Sequence, residues 1–177
     1  MNYRLHTERL GLREIEESDL DFVAALRGNP EIMRYYSKCI TQDEAWELIR
    51  NVRKRYIERG HNLWLAVDRI TEANLGIVGL TMQPLNATEL VPEVSYMLAK
   101  PYWGRGLATE GTLAVRDFAF REEEYPFVTA FIHPENAASE RIAKKLEMVE
   151  WTRSMTYGRE HIVYRALNPV VNSELHA

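Results

Sequence analysis

Cysteine is nearly missing from this chain. Cys39 is the one thiol among 177 residues, which excludes an internal disulfide and a cysteine-rich zinc site and predicts a fold held by packing in a reducing, cytoplasmic setting. Long apolar runs are missing as well. Nowhere do about 18 apolar residues run together, and Met1-Asn2-Tyr3-Arg4-Leu5-His6 lacks the apolar stretch of a secretory leader, so neither a membrane-spanning helix nor export by that route is expected. With 9 Gly and 7 Pro, none of them clustered into a linker, there is no sign of a second domain, a repeat or a low-complexity segment. Charge of one sign is not in great excess either: 22 Lys and Arg stand against 26 Asp and Glu, for a net −4. That balance argues against nonspecific nucleic-acid binding and is compatible with cationic small molecules or peptides as partners.

What is present is an ordered succession of strand and helix signals. Arg9-Leu10-Gly11-Leu12-Arg13 alternates in the period of a half-buried strand. Ser18 stands where it can cap a helix that carries Phe22, Val23 and Leu26 inward and stops near Gly28-Asn29-Pro30. Thr41 with Glu44 makes a capping box for a second helix. Its buried stripe is Ala45, Leu48, Ile49, Val52 and Tyr56, and it ends at Gly60. Strands are expected at 63–67 and 75–80 as a hairpin and at 91–99, then a helix from about 106 to 123, a strand at 127–133, a helix at 136–146 and a strand pair at 150–157 and 161–167. The order β-α-α-β-β-β-α-β-α-β-β predicts one mixed α/β domain over residues 1–168, with a short polar tail at 169–177. About seven strands would form a mostly antiparallel sheet flanked by about four helices. Parallel pairing is expected where helices intervene, between the fourth and fifth strands and after the fifth.

Three stretches could carry chemistry. Between the fourth strand and the following helix, Gly104-Arg105-Gly106 forms a turn whose unpaired amides and helix dipole suit a phosphate or pyrophosphate; the alternative is a connection whose glycines serve tight packing. Neither the P-loop spacing nor a third glycine in the dinucleotide pattern is present, since Thr109 occupies that position. Glu93, a carboxylate inside a half-buried strand, is either a salt-bridged residue or a proton acceptor whose burial raises its pKa. Ser139, on the apolar face of the helix that Asn136 caps, is either bonded to its own helix or free to act on a ligand.

Over nearly its full length the chain resembles the GNAT superfamily of acyl-CoA-dependent N-acetyltransferases, in particular the RimJ/RimL-like branch. The matching segments are Thr7-Glu8-Arg9-Leu10-x-Leu12-Arg13, Asn29-Pro30-Glu31, Tyr102-Trp103-Gly104-Arg105-Gly106-Leu107-Ala108-Thr109-Glu110 and His133-Pro134-Glu135-Asn136-Ala137-Ala138-Ser139. The resemblance implies that the fourth and fifth strands splay apart around the pantetheine arm of acetyl-CoA. Met97, Leu98 and Ala99 would contact that arm through the backbone, Gly104, Arg105, Gly106, Leu107, Ala108 and Thr109 would cradle the pyrophosphate, and Asn136 would make a polar contact. It also implies Glu93 as base and Ser139 as partner of the departing thiolate, the more so because Ala143 stands where many relatives have a tyrosine. Tyr35 and Tyr36 fall in the loop that borders the acceptor pocket in similar proteins.

The expectation is an acetyl-CoA-dependent transferase acting on a primary amine by direct transfer, with no metal. The alternative is a non-catalytic CoA-binding sensor or partner-binding module. A homodimer is compatible with the chain; nucleic acid would have to use the stripe Arg50, Arg53, Lys54, Arg55 and Arg59, which reads more simply as a solvated helix face. Three departures from the family pattern are Trp103, Ser95 and Glu147, the last in place of the usual glycine after the late helix and suggesting a locally different helix end.

Overall fold

The strands expected from period-2 alternation assemble into one twisted sheet. The computed structural model describes residues 2–156 and 158–174, and side chains as far as residue 171. Its strands are β1 (Leu5–His6), β2 (Leu10–Glu14), β3 (Leu63–Asp68), β4 (Asn74–Pro84), β5 (Leu90–Leu98), β6 (Phe127–Ile132), β7 (Val149–Thr156) and β8 (Arg159–Leu167), in the spatial order β1-β2-β3-β4-β5-β6-β8-β7. The sheet has one strand more than expected, because Leu5–His6 folds back antiparallel onto Gly11–Leu12; two residues are too few to show a period. All pairings are antiparallel except β5 with β6. Parallel pairing after the fifth expected strand does not occur: β8 inserts between β6 and β7 and pairs antiparallel with both. The tight turn between β7 and β8 makes them a hairpin, and the hairpin docks through its second strand.

Among the described residues five α-helices accompany the sheet: α1 (Leu20–Gly28), α2 (Gln42–Arg59), α3 (Leu107–Arg121), α4 (Ala137–Lys145) and α5 (Pro169–Glu174). The capping box of Thr41 and Glu44 is present, and Gly60 closes α2 in the left-handed conformation at φ 75°. Ser18 does not cap α1. It lies within a 3-10 turn over Glu17–Asp19, so that Asp19 is the N-cap residue, and the buried Asp19 carboxylate is held instead by Arg13 at 2.7 Å. The tail is not without structure: Asn168 accepts the Val170 amide at 3.1 Å and donates to the carbonyls of Phe120 and Tyr125, which starts α5. Residues 175–177 lie outside the described residues.

The core runs along the sheet, with Leu10, Leu12, Trp64, Leu65, Val78, Leu80, Val115 and Val128 fully buried. Among the described residues no helix is long and apolar enough to cross a membrane. The basic stripe of α2 lies on its exposed face, where Arg50, Lys54 and Arg55 pair with Glu47 and Glu58, as solvated i,i+3 and i,i+4 neighbours do.

Candidate active site

The sheet is interrupted at one place. β5 and β6 pair at a single register position, Glu93 opposite Thr129, and Thr129 reinforces that point by donating its hydroxyl to the Pro92 carbonyl at 2.8 Å. Beyond it the two strands separate. The register of β5 on β4 decides which main-chain groups face the gap. Ala99 donates to Leu75 at 2.9 Å and Leu85 to Glu89 at 2.9 Å, so the odd-numbered positions, Met97 opposite Ile77 and Ser95 opposite Gly79, exchange hydrogen bonds with β4. The main-chain groups of Tyr96 and Leu98 therefore turn toward the gap. Of the three residues expected to use their backbone on a ligand, Met97 and Ala99 have their amides committed to β4, and only Leu98 presents its own. Its carbonyl accepts the Trp103 indole at 2.7 Å.

A cavity of about 440 Å³ opens on this gap and runs to the start of α3, lined by Met97, Leu98, Gly104, Gly106, Leu107, Ala108, Thr109 and the facing residues of α4. Gly104 and Gly106 have φ of 72° and 78°, a conformation that costs an L-residue roughly 1–2 kcal/mol. With Gly106 as N-cap residue no side chain caps α3, so the amides of its first turn, beginning at Leu107, have no intrahelical partner and supply an anion site. Arg105 does not line the cavity. Its guanidinium lies 5.7 Å over the Tyr102 ring and its carbonyl accepts Arg9 at 3.0 Å. The same Arg9 pairs with Glu110 at 2.6 Å, and Thr7 donates to that carboxylate as well. The segments around residues 7–13 and 102–110 are thus one structure, in which β1 and β2 brace the Gly-x-Gly turn.

A second cavity, of about 520 Å³, lies against Glu93 and is lined by Arg27, Lys38, Thr81, His133, Arg159 and His161 among others. Glu93 is half-buried as a residue, with its carboxylate withdrawn from water. Removal from water pushes its pKa up to about 7, against the opposing pull of the Thr81 hydroxyl, the Phe131 amide and the Arg27 charge. Thr81, directly across the ladder, donates to it at 3.1 Å. A carboxyl group so poised exchanges a proton near neutrality.

Tyr35, Tyr36, Tyr96, Asn136 and Ser139 line both cavities, which therefore meet. Asn136 caps α4 by accepting the Ser139 amide at 3.2 Å. Among the described residues the Ser139 hydroxyl is not bonded back to its own helix; its side-chain partner is the Tyr96 hydroxyl. Tyr96 donates to the Ser139 carbonyl at 3.4 Å, and burial pushes its hydroxyl pKa up. Tyr35 reaches the Glu135 carbonyl at 3.1 Å and lies 5.3 Å from the His133 ring.

Sequence reasoning missed Tyr96, Arg27 and Arg159. Tyr96 reads as one more inward residue of its strand. Arg27 and Arg159 belong to elements 132 positions apart in the chain, and no spacing links them.

At the end of α4 the helix is not altered by the missing glycine. Glu147 adopts φ 61° and the closing bonds are made, from Met148 to Ala143 at 3.0 Å and from Glu147 to Lys144 at 3.1 Å.

The model of the acetyltransferase (GNAT) domain family matches residues 9–149, most of the chain and every element that lines the two cavities up to β7. The chain belongs to the GNAT acetyltransferases. An uncharacterized protein of Bacillus subtilis (strain 168), YkkB, is 34% identical over 146 residues, covering 82% of this chain and 84% of that one. A solved acetyltransferase structure from Agrobacterium tumefaciens str. C58 superposes with a TM-score of 0.79 at 23% identity, over 92% of each chain. A Vibrio fischeri structure described as a ribosomal-protein-S5-alanine acetyltransferase does so with a TM-score of 0.75 at 18% identity, over 93% of this chain and 96% of that one. Membership of the GNAT family supports acetyl transfer and acetyl-CoA binding for this fold, and the mixed, mostly antiparallel sheet with flanking helices is that of the family.

Proposed function

We propose that this protein is an acetyl-CoA-dependent N-acetyltransferase of the RimJ/RimL-like branch, acting in the cytoplasm on a primary amine, either a protein N-terminal amine or a small-molecule amine, while both substrates are bound. One observation carries the reading: two cavities, one ending on free helix amides and the other on a carboxyl group poised near neutrality, meet at Tyr96, Asn136 and Ser139. Branch membership is supported by the motifs around residues 7–13, 102–110 and 133–139 and by the likeness to the ribosomal-protein-S5-alanine acetyltransferase structure.

The first cavity fits acetyl-CoA. The amides of Leu107, Ala108 and Thr109 suit its pyrophosphate, and the unpaired edge of β5 at Tyr96 and Leu98 suits an extended arm with its own amide groups. Acetyl-CoA brings the acyl group already activated as a thioester. Every other requirement falls to the chain. Alignment of the amine with the carbonyl supplies much of the acceleration. Glu93, in its ionised form, accepts the proton that the amine loses, with Thr81 holding the carboxylate in place. The Leu98 amide, facing the gap, donates to the carbonyl oxygen as charge builds there. Ser139 donates to the departing thiolate. A proton acceptor and an activated acyl donor suffice, so the proposal needs no metal.

The test is thermal stabilisation by acetyl-CoA together with thiol release in the presence of an amine panel. Stabilisation together with amine-dependent release is expected. Stabilisation with no release for any amine contradicts the enzyme reading and favours a non-catalytic CoA-binding module.

A further inference from the structure

The cavity that contains Glu93 is cationic although the chain as a whole is acidic. Its charged and imidazole walls are Arg27, Lys38, Glu93, His133, Arg159 and His161, and its phenol walls Tyr35, Tyr36 and Tyr96. Lys38 is paired with Glu44. Burial lowers the pKa of His161, against the hydrogen bond with the Arg159 carbonyl and helped by the charges of His133 and Arg159, which disfavours its cationic form. Arg27 and Arg159 make no ion pair among the described residues. Arg159 donates to the Arg34 carbonyl at 3.3 Å. Arg27 is half-buried, with its guanidinium 5.7 Å from the Tyr36 ring centre and its Nε buried without a hydrogen-bond partner. A guanidinium partly withdrawn from water, with the Glu93 carboxylate acting on it only across the cavity and no carboxylate in contact, is costly to the folded state. A ligand that supplies the carboxylate offsets that cost.

We infer that the acceptor is a primary amine that also carries a carboxylate, with the amine toward Glu93 and the carboxylate on the forked donors of Arg27, seconded by Arg159. This rests on the acetyltransferase reading above and narrows its acceptor. The guanidinium fork matches a carboxylate in two parallel hydrogen bonds. The same two charges repel the additional ammonium groups of a polyamine, so the net charge of −4 misleads about the acceptor: it averages over a surface on which this cavity is the exception. Both a free amino acid and a peptide with an acidic N-terminal residue present the required pair of groups, and the assay distinguishes them.

The experiment measures kcat/KM with saturating acetyl-CoA for L-methionine, L-methioninamide, a short peptide amide beginning with aspartate, the same peptide beginning with asparagine, and spermidine. A carboxylate-bearing member is expected to exceed its neutral partner by about ten- to hundredfold. Preference within the methionine pair points to free amino acids, and preference within the peptide pair to protein N-termini. In Arg27→Gln that ratio falls toward one, and Arg27→Lys restores part of it. Should Arg27→Gln fail to fold, wild-type protein still decides the matter: 4-(methylthio)butyrate, which has the carboxylate without the amine, should inhibit competitively with the amine, and its amide should not. Equal or better turnover of the neutral amines or spermidine overturns the inference while leaving the acetyltransferase reading intact. Absence of turnover with every amine overturns both.

Discussion

The two halves of the site are built from different materials. The half assigned to acetyl-CoA is made of main chain: the open edge of β5 at Tyr96 and Leu98, two left-handed glycines and the first amides of α3. Its residues come mainly from one continuous stretch, 96–109, with α4 as the facing wall and residues 31–36 at the border it shares with the other half. The half assigned to the acceptor is made of side chains, contributed by α1, the 31–40 loop, α2, β3, β4, β5, β6, α4 and the β7–β8 hairpin. A main-chain site recognises features that a cofactor always carries and tolerates few changes of backbone. A side-chain site from many elements can be altered one residue at a time without disturbing the fold. The division lets one scaffold keep a fixed donor and vary its acceptor.

The largest effect that would sharpen this contrast is expected from Gly106→Val. A β-branched residue at φ 78° is strained, and the turn would relax away from the geometry that presents the α3 amides. Calorimetric titration should show acetyl-CoA affinity reduced by about tenfold or more, whereas Thr109→Ser, which keeps the backbone, should change it by less than about twofold. Equal losses for both would break the distinction between main-chain and side-chain recognition.

A smaller effect, and one confined to stability, is expected at the end of α4. Glu147 is left-handed, with φ 61°, and its side chain is exposed, its nearest cation being Arg116 at 3.8 Å. Glu147→Gly should stabilise the protein by about 1 kcal/mol, raising Tm by about 2–4 °C with kinetic constants unchanged. A lower Tm would mean that the Arg116 pair outweighs the backbone strain.

How much of this was legible in the chain follows the same division. The strand alternation, the capping box of Thr41 and Glu44 and the Gly-x-Gly turn are local patterns, and each is found where its spacing placed it. Glu93 and Ser139, which the family resemblance and not their spacing singled out, line one cavity. Three things were hidden. Which of Met97, Leu98 and Ala99 presents its amide depends on the register with β4, set by the turn at 85–89 and not by the identity of the three residues. The insertion of β8 between β6 and β7 depends on how a hairpin docks, which its own sequence does not state. The charge of the cavity against Glu93 depends on Arg27 and Arg159, far apart in the chain, lining one space, and the net composition pointed the other way. Glu147 is an intermediate case: the missing glycine was visible, but the neighbouring carbonyls of Ala143 and Lys144 hold the left-handed turn despite it.

The central claim is that Glu93, in the acceptor cavity, takes the proton, and the pH dependence of kcat/KM for wild type and Glu93→Gln tests it most directly. The base works only when ionised, and burial holds its pKa at about 7, so wild-type activity should rise with pH through a midpoint near that value and level off above it. In Glu93→Gln the limb should vanish and activity should fall by about a hundredfold or more, while acetyl-CoA affinity, set in the other half of the site, stays within about twofold. An undiminished rate, or the same limb persisting in the variant, would contradict the account.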